Sequence, residues 1–317
     1  MLEKKPGNFR VDKLRAILVY EADFNQNKKN LGCAMMRNAE LMKLPAPEQY
    51  GSWKKMSAID QCLSKRLALD LFRQSCRPAA MTCSNDAKSC YDQIVHSIAS
   101  LCMQQNGVPE APVVCMFTTI QNLSHYIRTI FGDSRLNFGG DMWTVTVQGV
   151  GQGNGAGLQI WAIILTPVLN MMREEGVGAF FKASISGDEL SFVGYAFVDD
   201  TDLCETAGTG HATGQSVVLQ MQSSIDHWEG GIRATGGAIV PEKSHWYLID
   251  FCWHHGSWSY ASEEPSPGSL TVLDSSGQRQ TVERLSPDSA RRTLRVRLAP
   301  DGNNHAEVTH LRSCALK

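Results

Sequence analysis

Two adjacent carboxylates at the end of an apolar run constrain this chain more than any other feature. Residues 191–198, Ser-Phe-Val-Gly-Tyr-Ala-Phe-Val, read as a strand; Asp199 and Asp200 follow, and Thr201-Asp202-Leu203-Cys204 resumes the pattern. The reading is strand, acidic turn, strand. Asp is a poor strand residue, and neighbouring carboxylates repel one another. A hard divalent cation with oxygen ligands relieves that repulsion. A hydrated turn accounts for the dipeptide taken alone, so the rest of the chain has to decide.

The composition suits about two globular domains, or one large two-lobed unit: 317 residues, 43% hydrophobic and 20% charged. Net charge is −2, so a nucleic-acid partner would have to be held by a local basic track. No signal-like apolar run opens the chain, and no uncharged apolar stretch reaches the roughly 18 residues of a membrane span. The ten cysteines lack disulfide-framework spacing, which favours free thiols in a reducing compartment. An intracellular protein, nuclear or cytoplasmic and not secreted, is expected.

Along the chain, residues 15–24 read as strand then turn. Ser57 caps a helix carrying Ile59, Leu63, Leu67 and Leu71. A strand near 79–85 leads into Asp86, and a helix follows with Ile94, Ile98, Leu101 and Cys102 on one face. Residues 142–148 look like a strand running into the glycine-rich segment 149–157, which opens an apolar helix from Leu158 to Met172. After the acidic hairpin, another helix carries Val218, Met221, Ile225 and Trp228. A hairpin is expected either side of Ser275-Ser276-Gly277, and a strand over 293–298 with basic alternate positions. This order predicts an α+β fold, an antiparallel sheet with helices on one face.

Acids at the ends of two strands converge if those strands are neighbours. Asp86, Asp199 and Asp200 would then form a site for two Mg²⁺ ions about 3.5–4 Å apart, with Mn²⁺ as a substitute. Asp86 also reads as a helix cap.

These residues carry a resemblance. Asp86-Ala87-Lys88-Ser89-Cys90-Tyr91-Asp92 resembles the first catalytic motif of reverse transcriptases of the non-LTR retrotransposon and group II intron kind. Gly149-Val150-Gly151-Gln152-Gly153 resembles the second motif, Phe197-Val198-Asp199-Asp200 the third, and Gly236 through Lys243 the fourth. The resemblance spans about residues 10–300. It implies a right-hand polymerase: partial fingers over 1–78, palm over 79–256, then a hairpin and primer-grip-like strand over 257–317, with the thumb largely missing. The partners it implies are an RNA template, a DNA primer and deoxynucleoside triphosphates.

In that reading Asp86, Asp199 and Asp200 are catalytic metal ligands and Lys243 is a general acid. Ala87, Tyr91, Gln152, Gly153 and Arg15 are nucleotide-binding, with Tyr91 screening the 2′ position. Each has a plain structural alternative: a core aromatic for Tyr91, a helix-entry turn for Gln152 and Gly153, and a solvated loop or edge for Lys243, Lys13 and Arg15. Cys252-Trp253-His254-His255 lacks a second ligand pair for zinc. Arg291, Arg292, Arg295 and Arg297 form a basic cluster suited to phosphate, or a solvated face.

Two departures stand out. Asn154-Gly155-Ala156-Gly157 replaces the residues usual after Gln-Gly, and Arg295 stands where the primer-contacting strand usually has Gly. They favour a rival reading, a truncated and inactive retroelement remnant that keeps the fold. A generic Mg²⁺-dependent phosphohydrolase is a third reading, which the Gln-Gly and lysine motifs do not support.

Overall fold

The computed structural model describes residues 2–3, 7, 14–15, 17–75, 78–83, 85, 87–88, 90–129, 131–139, 147–183, 185–207, 213–261 and 267–316. They form a mixed α+β chain with eight α-helices among the described residues. The chain divides into two units. One comprises residues 1–45, 89–165 and 235–237; the other comprises 46–88, 166–234 and 238–317.

The second unit is built on a five-stranded sheet, in the order Glu283–Leu285, His245–Ile249, Ala79–Cys83, Asp200–Thr206, Gly194–Phe197. Four of these strands pair antiparallel with their neighbours, as expected. Glu283–Leu285 departs from that expectation by pairing parallel to His245–Ile249.

The helices do not lie on one face. Strands Ala79–Cys83 and His245–Ile249 are buried at every position, so both faces need an apolar cover. Helix Ala58–Gln74 packs Ala68, Leu69 and Phe72 against Met81, Cys83 and Cys204 on one face. Helix Gly214–Ala234 covers the other, where Ser224 bonds Glu205.

Ser57 caps helix Ala58–Gln74 as expected, its hydroxyl accepting from the Asp60 N–H at 3.3 Å. The apolar stripe, however, points outward: Ile59, Leu63, Leu67 and Leu71 are all exposed. The inward face carries Gln61, Cys62, Lys65, Ala68, Leu69 and Phe72. In helix Gly214–Ala234 the expected face does point inward, with Val218, Met221, Ile225 and Trp228 all buried.

The expected hairpin at 275–277 is present, strands Thr271–Leu273 and Arg279–Thr281. The expected strand over 293–298 is instead a hairpin, Arg291–Thr293 with Val296–Leu298. Its two turn residues, Leu294 and Arg295, both have positive φ (48° and 80°).

The first unit is mainly helical. Helix Ala22–Leu41 starts within the 15–24 segment read as strand then turn and runs on through residues for which no element was expected. Helix Glu110–Asn122 and the hairpin Ser124–Thr129 with Gly132–Gly139 were not anticipated. The expected helix after Asp86 is broken in two, Cys90–Gln93 and His96–Gln105. Ile94 falls buried between them, while Leu101 is exposed. Most of the strand expected over 142–148 lies outside the described residues, and Val147 and Gln148 are irregular. The glycine-rich segment opens helix Gly157–Glu174 as expected.

Candidate metal centre

Gly194–Phe197 and Asp200–Thr206 form a hairpin closed by the pair Phe197 and Asp200. Only Val198 and Asp199 are left for the turn, and Val198 takes φ 60°. A β-branched residue in the left-handed region is strained by about 1–3 kcal/mol and persists only where its surroundings impose it.

Those surroundings are specific. Ala196 exchanges backbone bonds with the segment beside it, donating to Glu48 O at 2.9 Å and accepting from Tyr50 N at 2.8 Å. Glu48 is itself fixed by an ion pair with Arg173. Gly51 then passes so close to the turn that a Cβ there would stand 2.7 Å from Val198 N.

On the other side, Asn85 donates its N–H to Thr201 O at 2.9 Å, and Ala87 donates to Asp199 O at 3.3 Å. Lys88 N bonds Ala238 O at 2.7 Å, and Ala87 forms an isolated bridge with Ile239. The segment 85–88 is thereby tied both to the acidic turn and to the loop that leads to Lys243.

Asp199 is half-buried and Asp200 exposed, and carboxylates are hard oxygen donors of the kind that suits Mg²⁺ or Mn²⁺. Asp86 lies outside the described residues. Among the described residues, no cluster of three or more acids, histidines or cysteines is suited to a metal. Lys243 ends the short turn Pro241–Lys243 and is exposed.

The remaining expected site residues fall in the first unit. Tyr91 is half-buried in helix Cys90–Gln93, and its carbonyl accepts from Val150 N at 2.7 Å. Its ring would stand 3.5 Å from a Cβ on Gly157. The Gln152 carbonyl accepts from Leu18 N at 2.8 Å. Gly153 takes φ 116°, and a Cβ there would fall 2.1 Å from Leu18 O, so no other residue fits. Tyr91 and the glycine-rich loop are therefore brought together. Arg15 ends a two-residue strand, Leu14–Arg15; Lys13 lies outside the described residues.

Lys65 and Asp202 were missed. Their ion pair is buried, with Nζ to Oδ2 at 2.7 Å. Lys65 Nζ also donates to Thr293 Oγ1 at 3.2 Å and to Cys83 Sγ at 3.4 Å. Burial alone would push the Lys65 ammonium down, but the Asp202 carboxylate overrides it and holds the pKa well above the usual lysine value. Burial also raises the Cys83 thiol to about 12 and, helped by the Lys65 charge, lowers His245 to about 4. Lys65, Cys83 and His245 line a small cleft with Tyr247 and Arg291. The signal in the sequence was Asp202 itself, a charge inside a strand that must be buried.

No protein-family model matches the chain, and no curated protein does. Among solved structures it is similar to telomerase from Candida tropicalis in complex with a TWJ fragment of telomeric RNA. That match has 12% identity and TM-score 0.46, over 80% of this chain and 37% of the other. Telomerase from Candida albicans in the corresponding complex gives 13% identity and TM-score 0.41, over 81% and 40%. Apo telomerase from Candida tropicalis gives 13% and 0.38, over 74% and 38%. The chain spans less than half the length of each of these chains.

Proposed function

We propose that residues 79–256 carry the palm of an RNA-directed DNA polymerase, of the non-LTR retrotransposon or group II intron kind, that extends a primer 3′ end with deoxynucleotides. The observation that carries the reading is the strained turn at Val198. It sets Asp199 in the turn and Asp200 at the first position of the following strand, and the Asp199 carbonyl accepts from Ala87, the residue next to Asp86. Strain of that kind gathers at functional sites.

Asp86, Asp199 and Asp200 would hold two Mg²⁺ ions, or Mn²⁺, which acidify an attacking hydroxyl and offset charge on the departing pyrophosphate. Lys243 donates a proton to that leaving group. Tyr91 screens the 2′ position of the incoming sugar, and Ala87 and Arg15 contact the nucleotide. Gln152 and Gly153 meet the templating pair, where the missing Cβ permits close approach.

The substrates on this reading are an RNA template, a DNA primer and deoxynucleoside triphosphates. An intracellular setting, nuclear or cytoplasmic, goes with it. No described helix is long and apolar enough to cross a membrane, and the nine described cysteines form no disulfide.

The test is extension of oligo(dT)-primed RNA by the purified chain. Metal-dependent products that vanish in Asp199→Asn support the reading; duplex binding without extension overturns it. The latter result fits the inactive remnant, which is favoured by Arg295 occupying a left-handed turn position that suits Gly.

A further inference from the structure

The buried pair Lys65 and Asp202 plays no part in the proposed chemistry, yet it sits on the strand that carries Asp200. Side chains alternate along Asp200–Thr206, so Asp200 and Asp202 project from the same face. Cys204, next in that row, packs with helix Ala58–Gln74. The Lys65 ammonium, only 3% exposed, reaches down from that helix. It binds three separate segments: Asp202 on the acidic strand, Cys83 at the end of the neighbouring strand, and Thr293 on the terminal hairpin.

A buried ion pair is a poor source of stability, because desolvating two charges offsets their attraction. An apolar pair of similar volume would hold the core as well. What the pair supplies is a directional bond that fixes where the acidic strand stands against its neighbours.

We propose that Lys65 is a positioning residue for the acid pair. Through Asp202 it sets the placement of the strand that begins at Asp200, and so the geometry with which the Asp199 and Asp200 carboxylates meet a divalent cation. The inference rests on the two-metal reading.

The test uses the full chain, with Mn²⁺ alone as probe, titrated by electron paramagnetic resonance beside a thermal melt. In the double variant Lys65→Met, Asp202→Leu the melting midpoint should stay close to that of the parent. Mn²⁺ affinity should fall about tenfold, the low end of what outer-shell partners contribute. A purely structural pair would not separate the two readouts.

A double variant that binds Mn²⁺ within twofold of the parent overturns the positioning role and leaves the two-metal reading intact. A parent that shows no Mn²⁺ binding sensitive to Asp199→Asn overturns the two-metal reading and this inference with it. Should the double variant lose its cooperative melt, Thr293→Val decides. It removes one anchor of Lys65 from a half-buried position, and weaker Mn²⁺ binding at an unchanged midpoint supports the role. Unchanged binding refutes it.

Discussion

Asp202 and Glu205 lie on the same strand, are 4% and 5% exposed, and project from opposite faces. Towards helix Ala58–Gln74, Asp202 meets a lysine ammonium at 2.7 Å. Towards helix Gly214–Ala234, Glu205 is given neutral donors, the Gly178 N–H at 2.9 Å and the Ser224 hydroxyl. Burial therefore lifts the Glu205 carboxyl to about 7. Asp202 is bonded to a buried cation, whereas the Glu205 carboxyl is met by neutral donors and pushed up by burial. Both faces are packed by a helix, but the face with the ion pair is the one that also carries Asp200, a charged face opposite one that offers Glu205 neutral donors.

Removing Lys65 breaks the comparison most severely. Lys65→Met leaves the Asp202 charge buried without its partner and should cost about 3–5 kcal/mol, read as a fall in the urea midpoint. A cost under 1 kcal/mol would mean that water reaches Asp202 and that the two faces are not so different.

If the charged face is the working face, Asp199→Asn should lower primer extension about 10²–10³-fold, the size of losing one electrostatic contact to the transition state. The thermal midpoint should not move. Comparable extension rates in parent and variant would remove Asp199 from the metal site.

Glu205 gives the opposite face a pH signature. Its folded pKa is raised above its ordinary value of 4.5, so the folded state binds the extra proton between 4.5 and about 7. The contribution is fully present below the lower value and is lost as pH rises through the upper one. Over the whole window this amounts to about 3 kcal/mol. Urea midpoints measured from pH 5 to 8 should fall for the parent and stay flatter for Glu205→Gln. Parallel curves would show that Glu205 is solvated.

The smallest effect concerns the second strained hairpin turn. Arg295 has φ 80° and is exposed, whereas the strained Val198 is half-buried beside Gly51. Arg295→Gly should therefore stabilise by about 1 kcal/mol, seen as a higher urea midpoint. A loss instead would show that the Arg295 side chain is held by contacts worth more than the backbone strain.

Local signals were legible wherever a short stretch of chain supplies its own physics. The Ser57 cap, the glycine-rich entry to helix Gly157–Glu174, the turn at 275–277 and the acids at a strand end each depend on residues a few positions apart. Helix Ala22–Leu41 was not legible, because its buried positions include Lys28 and Gly32 and so give only a weak apolar period. Asp86 and most of the strand expected over 142–148 lie outside the described residues.

The sequence by itself determined that helix Ala58–Gln74 would form and that two acids would follow a strand. It did not determine which side of that helix would be buried. Ile59, Leu63, Leu67 and Leu71 mark the more apolar stripe, yet Lys65 faces inward because Asp202, 137 residues away, stands beneath it. Covering both sheet faces, the parallel edge strand, the strain at Val198 and the Lys65 bond to Asp202 were tertiary decisions. Each depends on partners far apart in the chain, and neither hydrophobic period nor turn chemistry carries information over that distance.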